Sequence, residues 1–82
     1  MVNREVQDET VRKVEGIFSS YKPEQAELIL GELSSLGFVR VGGNPAAVSL
    51  ENKRMEIFVI AGMDEKGRLV NHEIKRFEEI RK

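Results

Sequence analysis

Few residues of the chain could carry chemistry, and their types and spacing exclude the familiar active sites. His72 is the only histidine and there is no cysteine, so a zinc site would lack its usual ligands. None of the serine or threonine side chains lies in a nucleophile elbow or has a sequence partner that suggests a triad. The neighbours Glu78 and Glu79 would point in different directions on a helix, which disfavours general acid–base catalysis. We predict a protein that is not an enzyme, with no catalytic residue, cofactor or metal.

A glycine-containing stretch at residues 40–45, RVGGNP, raises the question of a phosphate-binding loop. Such a loop places spaced glycines between a strand and a helix N-terminus, where backbone N–H groups and the helix dipole hold the phosphate. Here the two glycines are followed by another strand-like segment, and neither a Gly-Lys-Ser motif nor a third spaced glycine is present. Glycine and asparagine tolerate a positive φ, and Pro45 keeps the preceding residue extended. The stretch therefore predicts a hairpin turn.

Basic side chains at the predicted strand ends and turns are the remaining candidates for binding. With the glycine turn they form the predicted partner-binding set, which is Arg40, Gly42, Gly43, Asn44, Lys53, Arg54, Lys66 and Arg68. Further basic residues, Lys75, Arg76, Arg81 and Lys82, fall on a predicted C-terminal helix. Such groups contact phosphates in nucleic-acid complexes. Acidic residues interrupt every basic cluster, however, which favours a protein partner over a nucleic acid.

Composition and charge set the broad class. The 82 residues are enough for one small domain, residues 1–82, and the net charge of −1 gives no general attraction to nucleic acid. Residues 1–36 carry a net charge of −3 and residues 37–82 a net charge of +2. This difference is either chance variation or the mark of a mildly basic half that meets an acidic partner or a nucleic acid. With no cysteine, no apolar leader and no long apolar run, we expect a cytoplasmic protein that does not enter a membrane.

Two helices are predicted in the first half of the chain. Apolar residues recur every three or four positions over residues 3–21, which indicates an amphipathic helix. Its stripe contains Val11, Val14, Phe18 and Tyr21, whose spacing fits either a face packed on the domain core or the seam of a homodimer. A second helix is predicted over residues 23–36, with a proline in its first turn and Gly37 as its left-handed C-terminal cap.

Strands are predicted in the second half, where the period of the pattern changes. Residues 38–41, 46–51 and 55–61 are rich in β-branched and aromatic side chains, and a polar turn follows at residues 64–67. The remaining segment is ambiguous, because Leu69 and Val70 suit a short fourth strand whereas Val70, Ile74 and Phe77 follow a helical spacing. We favour a terminal helix from about Asn71, with His72 exposed in its first turn. The predicted fold is α+β, with two N-terminal helices, a three-stranded antiparallel sheet with a possible short fourth strand, and a C-terminal helix.

The order helix-β-β-β-helix from Pro23 onward, with the junction LGFVRV at residues 36–41, resembles the topology of double-stranded-RNA-binding domains. Small RNA-cleaving toxins share that topology but carry a histidine in the first hairpin, where this chain has Gly43, Asn44 and Pro45. The resemblance implies nucleic-acid binding through the basic turns and the last helix, which is our second hypothesis. The first hypothesis is a non-enzymatic protein-interaction module, a regulator, inhibitor or accessory factor that forms a homodimer and binds a partner protein.

Overall fold

The computed structural model describes residues 2–80 and places two helices on one face of a four-stranded antiparallel sheet. The sheet is a meander, because each strand pairs with the next one along the chain. The elements are α1 Arg4–Ser20, a 3-10 turn Pro23–Gln25, α2 Ala26–Ser35, β1 Val39–Asn44, β2 Ala47–Asn52, β3 Ile57–Met63, β4 Leu69–Arg76 and a single helical turn, α3, Phe77–Ile80. The predicted α+β class is confirmed.

Local signals set the ends of the two long helices. The Asn3 side chain accepts a hydrogen bond from the backbone N–H of Glu5 at 2.8 Å, so it caps α1 where the first N–H groups lack helical partners. The predicted cap at Gly37 is confirmed, since its φ is +97° and the N–H of Phe38 donates back to the carbonyl of Leu33 at 3.1 Å. Both helices therefore lie within one to three residues of their predicted bounds.

The core lies between the helices and one face of the sheet. Alternate residues of β2 and β3 point into it, and they are joined by side chains from both helices and by Phe38. These buried apolar residues are Val14, Phe18, Ile29, Leu33, Phe38, Val48, Leu50, Ile57, Val59 and Ala61. Because strand side chains alternate between faces, the other residues of β2 and β3, among them Phe58 and Ile60, lie on the opposite face.

The apolar stripe of α1 faces this core. Val14 and Phe18 are buried, and Val11 and Tyr21 pack against them as partly buried side chains. The Tyr21 hydroxyl also donates to Glu32 at 2.9 Å, which joins α1 to α2. The spacing of this stripe allowed either packing on the domain core or a homodimer seam, and in the structure the stripe packs on the core. Val14 and Phe18 are enclosed within one chain and cannot form a seam between two folded copies.

The predicted C-terminal helix and fourth strand are both present, but the predicted start of the helix at Asn71 is wrong, because α3 begins only at Phe77. Residues 69–76 form a full-length strand whose register on β3 runs from Ile57 opposite Arg76 to Met63 opposite Leu69. The physical reason is that the strand pairs its backbone along the whole of β3 and packs Leu69 and Ile74 against the core. The basic side chains Lys75 and Arg76 thus lie on β4 and not on a helix, while Arg81 and Lys82 fall outside the described residues. The resemblance to the double-stranded-RNA-binding order ends at β3, because a fourth strand follows it.

A buried polar network connects α1 with β4 and with the turn between β2 and β3. The side-chain amide of Gln7 donates to the backbone carbonyl oxygens of Met55 at 3.0 Å and Glu56 at 3.3 Å. Its side-chain oxygen accepts from the Nε of Arg76 at 2.9 Å. The Arg76 guanidinium also pairs with Asp8. Glu56 has a positive φ of +57°, so this turn contains a residue in a conformation that usually favours glycine or asparagine.

Candidate interaction site at the edge of β1

The strand β1 forms one edge of the sheet and is the most exposed strand of the protein. It pairs with β2 along one margin, and within residues 2–80 no strand pairs with its outer margin. All six of its residues are exposed, including Val39 at 63% and Val41 at 48% of their full surface. An edge strand with free backbone groups and exposed apolar side chains is a template for pairing with another chain.

The opposite edge, β4, has features that discourage such pairing. Its outer residues include the charged side chains of Glu73 and Lys75, whose head groups lie 3.6 Å apart. Helix α1 packs against one face of this strand, since Arg76 binds Gln7 and the imidazole of His72 contacts Glu15 at 3.0 Å. Charged side chains on an edge strand are a common way to protect a sheet edge. The other edge strand, β1, carries a single charged residue, Arg40.

The glycine stretch contributes to this edge as part of β1. The turn between two strands is confirmed, but the glycines lie in the strand itself and Pro45 and Ala46 form the connection. Asn44 closes it, because its side-chain oxygen accepts from the N–H groups of Ala46 at 2.8 Å and Ala47 at 3.1 Å. The pairing of β1 with β2 is irregular between Arg40 and Gly42. No helix follows, so no phosphate-binding loop is formed here.

A groove lies beside the first half of β1, at the end of the sheet where the helix α2 leads into it. We call it the β1 groove. It has a volume of about 360 Å³ and is lined by Gly37, Val39, Val41, Glu51, Asn52, Lys53 and Arg54. One wall is apolar through the two valines and the other carries basic side chains. The Lys53 ammonium lies 3.8 Å from the Glu51 carboxylate, whereas Arg54 has no ion-pair partner within residues 2–80.

Asn52 forms the rigid base of the β1 groove, and the sequence analysis missed it. Its amide nitrogen donates to the carbonyl of Leu36 at 3.0 Å, and its oxygen accepts from the N–H of Met55 at 3.0 Å. The side chain is buried, so both bonds form away from water, where an unpaired polar group is costly. An asparagine directly after a predicted strand, at the start of a polar turn, is the only sequence signal that could have indicated it.

The predicted partner-binding residues divide between the two ends of the sheet. Arg40, Lys53 and Arg54 lie at the β1 groove end, because β1 begins there and the turn between β2 and β3 follows. Four others, Gly43, Asn44, Lys66 and Arg68, lie at the far end, where the N–H of Met63 donates to Ala46 at 2.8 Å. Gly42 lies between the two groups. The structure therefore does not bring the basic residues into one continuous surface.

At the far end, Asp64 organises the turn between β3 and β4. Its carboxylate accepts hydrogen bonds from the N–H groups of Lys66 and Arg68, each at 2.9 Å, and from the Arg68 guanidinium at 2.8 Å. The pKa of Asp64 is lowered from its ordinary value of 3.8 because these hydrogen bonds stabilise the charged carboxylate. The largest effect comes from the backbone N–H of Arg68, followed by the Arg68 guanidinium and the backbone N–H of Lys66. Arg68 is thus engaged within the turn, and Gly67 adopts the expected positive φ of +77°.

We expect acid to weaken this turn. Since the pKa of Asp64 is lower in the folded chain than its ordinary value of 3.8, its carboxylate stabilises the fold above that value. The stabilisation disappears as the pH falls through the folded-state pKa. Carboxyl ¹³C NMR should place this pKa below 3.8, and Arg68→Ala should move it part of the way back, because the backbone donors remain. An Asp64 that titrates at or above its ordinary value in the native protein would contradict the assignment.

His72 has a structural environment on β4. Its ring stacks on that of Phe18 with the centroids 4.0 Å apart and the planes inclined by 3°, and its Nε2 lies 3.0 Å from the Glu15 carboxylate. The side chain is partly buried under α1, so the predicted position in the first turn of a terminal helix is wrong. Within residues 2–80, no three side chains of His, Cys, Asp or Glu converge as metal ligands would. In the same part of the chain no helix has the length and apolar character needed to cross a bilayer.

Comparison of the chain with protein-family models, with curated proteins and with solved structures finds no match. The chemistry of the β1 edge and of its groove is therefore the basis on which a function can be proposed.

Proposed function

We propose that the protein is a non-enzymatic interaction module that binds an extended segment of a partner protein along the free edge of β1. The observation that supports this proposal is that all six residues of an edge strand, Val39–Asn44, are exposed, with two valines among them, whereas the other edge strand carries several charged side chains. In such β-augmentation the added strand gains affinity from main-chain hydrogen bonds and specificity from its alternate side chains. A regulator, inhibitor or accessory factor could act in this way by occupying its partner.

The energetics favour a transient complex. Burial of Val39 and Val41, which are about half exposed in the free protein, would contribute about 1 kcal/mol for each side chain. The hydrogen bonds of a six-residue strand add to this, while ordering a flexible segment costs part of the gain. We therefore expect dissociation constants on the order of micromolar for short peptides.

The test uses a valine on each edge of the sheet. Val41→Lys places a charge on β1, whereas Val70→Lys introduces the same change on β4, where the valine is 59% exposed. Peptides selected from a displayed random library should bind the wild-type protein and Val70→Lys equally and should lose most of their affinity for Val41→Lys. Their amide chemical-shift changes in NMR spectra should centre on Val39–Asn44.

Two outcomes would argue against this proposal. Peptides whose binding survives Val41→Lys, or whose shift changes lie away from β1, would place the interaction elsewhere. Sedimentation at high micromolar concentration completes the test, because the homodimer expected from the sequence could also use this edge. A dimer that Val41→Lys abolishes and Val70→Lys preserves would identify a second copy of the chain as the strand's partner. The basic side chains, divided between the two ends of the sheet, give no comparable support to a nucleic-acid site.

A further inference from the structure

We infer that the β1 edge selects an extended segment in which apolar and acidic residues alternate. The inference rests on the proposed function, because it specifies the chemistry of the segment that β1 binds. Neighbouring residues of a strand point to opposite faces of the sheet, and the register shows this for the start of β1, before its irregularity between Arg40 and Gly42. Val39 is paired with Glu51, which lies on the face away from the helices, whereas Arg40 is paired with the buried Leu50 on the helix side.

A strand added to the outer margin of β1 would continue the same alternation. Residues opposite each other in a sheet place their side chains on the same face, 4.5–5.5 Å apart between Cβ atoms as a rough guide. Every second side chain of the added strand would therefore lie beside Val39, and those between would lie on the face of Arg40. An apolar side chain suits the position beside Val39, and a carboxylate suits the position beside Arg40.

The positive charges of Arg40 and Arg54 have no carboxylate partner within residues 2–80. Among the arginines within residues 2–80, Arg4, Arg68 and Arg76 each have a carboxylate partner. Those without one are Arg12, Arg40 and Arg54. Arg12 lies on α1, but Arg40 is in the edge strand and Arg54 lines the β1 groove. A guanidinium group presents parallel N–H donors that match a carboxylate, so each of these two side chains offers a separate position for an acidic group, Arg40 in the edge strand and Arg54 at the groove.

Carboxylates within residues 2–80 do not neutralise these two arginines. In that part of the chain Glu51 is the only acidic side chain that lines the β1 groove, and it is partly buried beside Lys53. The net charge of the side chains that line the groove is therefore positive, because Lys53 and Arg54 outnumber Glu51. An incoming acidic segment would meet complementary charge at the groove, whereas a basic segment would meet repulsion.

Three capped peptides test the inference. Each has six residues, the length of β1, and alternates valine with glutamate, glutamine or lysine. Isothermal titration calorimetry in low salt should show the glutamate peptide binding about tenfold more tightly than the glutamine peptide, through two exposed ion pairs. Added salt should remove most of this difference, because exposed charges are screened. The lysine peptide should bind most weakly.

Variants in which glutamine replaces arginine show which side chains cause the preference for the glutamate peptide. The double variant Arg40→Gln and Arg54→Gln should bind the glutamate and glutamine peptides equally, while Arg12→Gln, an exposed arginine on α1, should keep the wild-type preference. Equal binding of the two peptides by the wild-type protein would overturn the acidic preference and leave the proposed function standing. Binding of none of the three would count against both, and a preference that persists in the double variant would place the acidic site elsewhere.

Discussion

Replacing Gly43 with alanine should lower the free energy of unfolding by about 2 to 4 kcal/mol. Gly43 has a φ of +109°, a conformation that an alanine adopts only with strain. A Cβ atom at this position would also lie 2.1 Å from the backbone carbonyl oxygen of Ala47 and 3.0 Å from the Cα of Val48. These atoms belong to the partner strand, so they cannot move aside as the end of a flexible side chain could.

Gly42, the preceding residue, provides the matched control. A Cβ atom added there would meet nothing within 4 Å, and the φ of Gly42 is not positive. Gly42→Ala should therefore change the free energy of unfolding by no more than about 0.5 kcal/mol, as most exposed substitutions do. Urea denaturation of the three proteins measures the difference. Equal effects of the two substitutions would show that neither the backbone conformation nor the close strand contact constrains this hairpin.

The pair of glycines also illustrates what the sequence could and could not predict. Two adjacent glycines before Asn44 and Pro45 correctly indicated a reversal of the chain, because glycine, asparagine and proline all favour turns. The pattern could not show which glycine is constrained. That distinction depends on the register between β1 and β2, in which Gly43 lies opposite Val48, and register is a property of two segments together.

The other elements also differ in whether neighbouring or distant residues determine their structure. The ends of α1 and α2 were predictable since Asn3, Pro23 and Gly37 act on the residues beside them. The strand β4 was not, because the apolar residues Val70 and Ile74 fit a helical spacing as well as an extended one. What decides between them is pairing with β3 and packing of Ile74 against the core, and both depend on residues elsewhere in the chain.

Only some residues of the candidate site were predicted from the sequence, and its position in the sheet was not. Arg40 and Arg54 were recognised from the sequence as basic residues at strand ends and turns. That Val39 and Val41 are exposed depends on the strand order, which places β1 at an edge, and a single strand-like segment contains no information about its place in the sheet. The bonds of Asn52 join α2 to the turn between β2 and β3, so they also arise only after folding.

Replacing Gln7 with leucine should lower the free energy of unfolding by about 2 to 3 kcal/mol. Leucine has a similar size but leaves the carbonyl of Met55 and the Nε of Arg76 without the partner that Gln7 supplies at 3.0 Å and 2.9 Å. Gln7 is only 4% exposed, so water cannot readily replace these bonds. The turn that contains Glu56, with its φ of +57°, would also lose one of its anchors to α1.

Arg12→Leu is the control for this substitution, because it places the same side chain on an exposed position of the same helix. It should change the free energy of unfolding by no more than about 0.5 kcal/mol. Hydrogen exchange gives a second readout, since the loss in Gln7→Leu should begin at the backbone around Met55 and Ile57 before the rest of β3 is affected. If Gln7→Leu were as stable as Arg12→Leu, the polar network would be a consequence of the fold and not one of its supports. If exchange instead rose uniformly over the sheet, Gln7 would act through the packing of α1 as a whole and not through the turn.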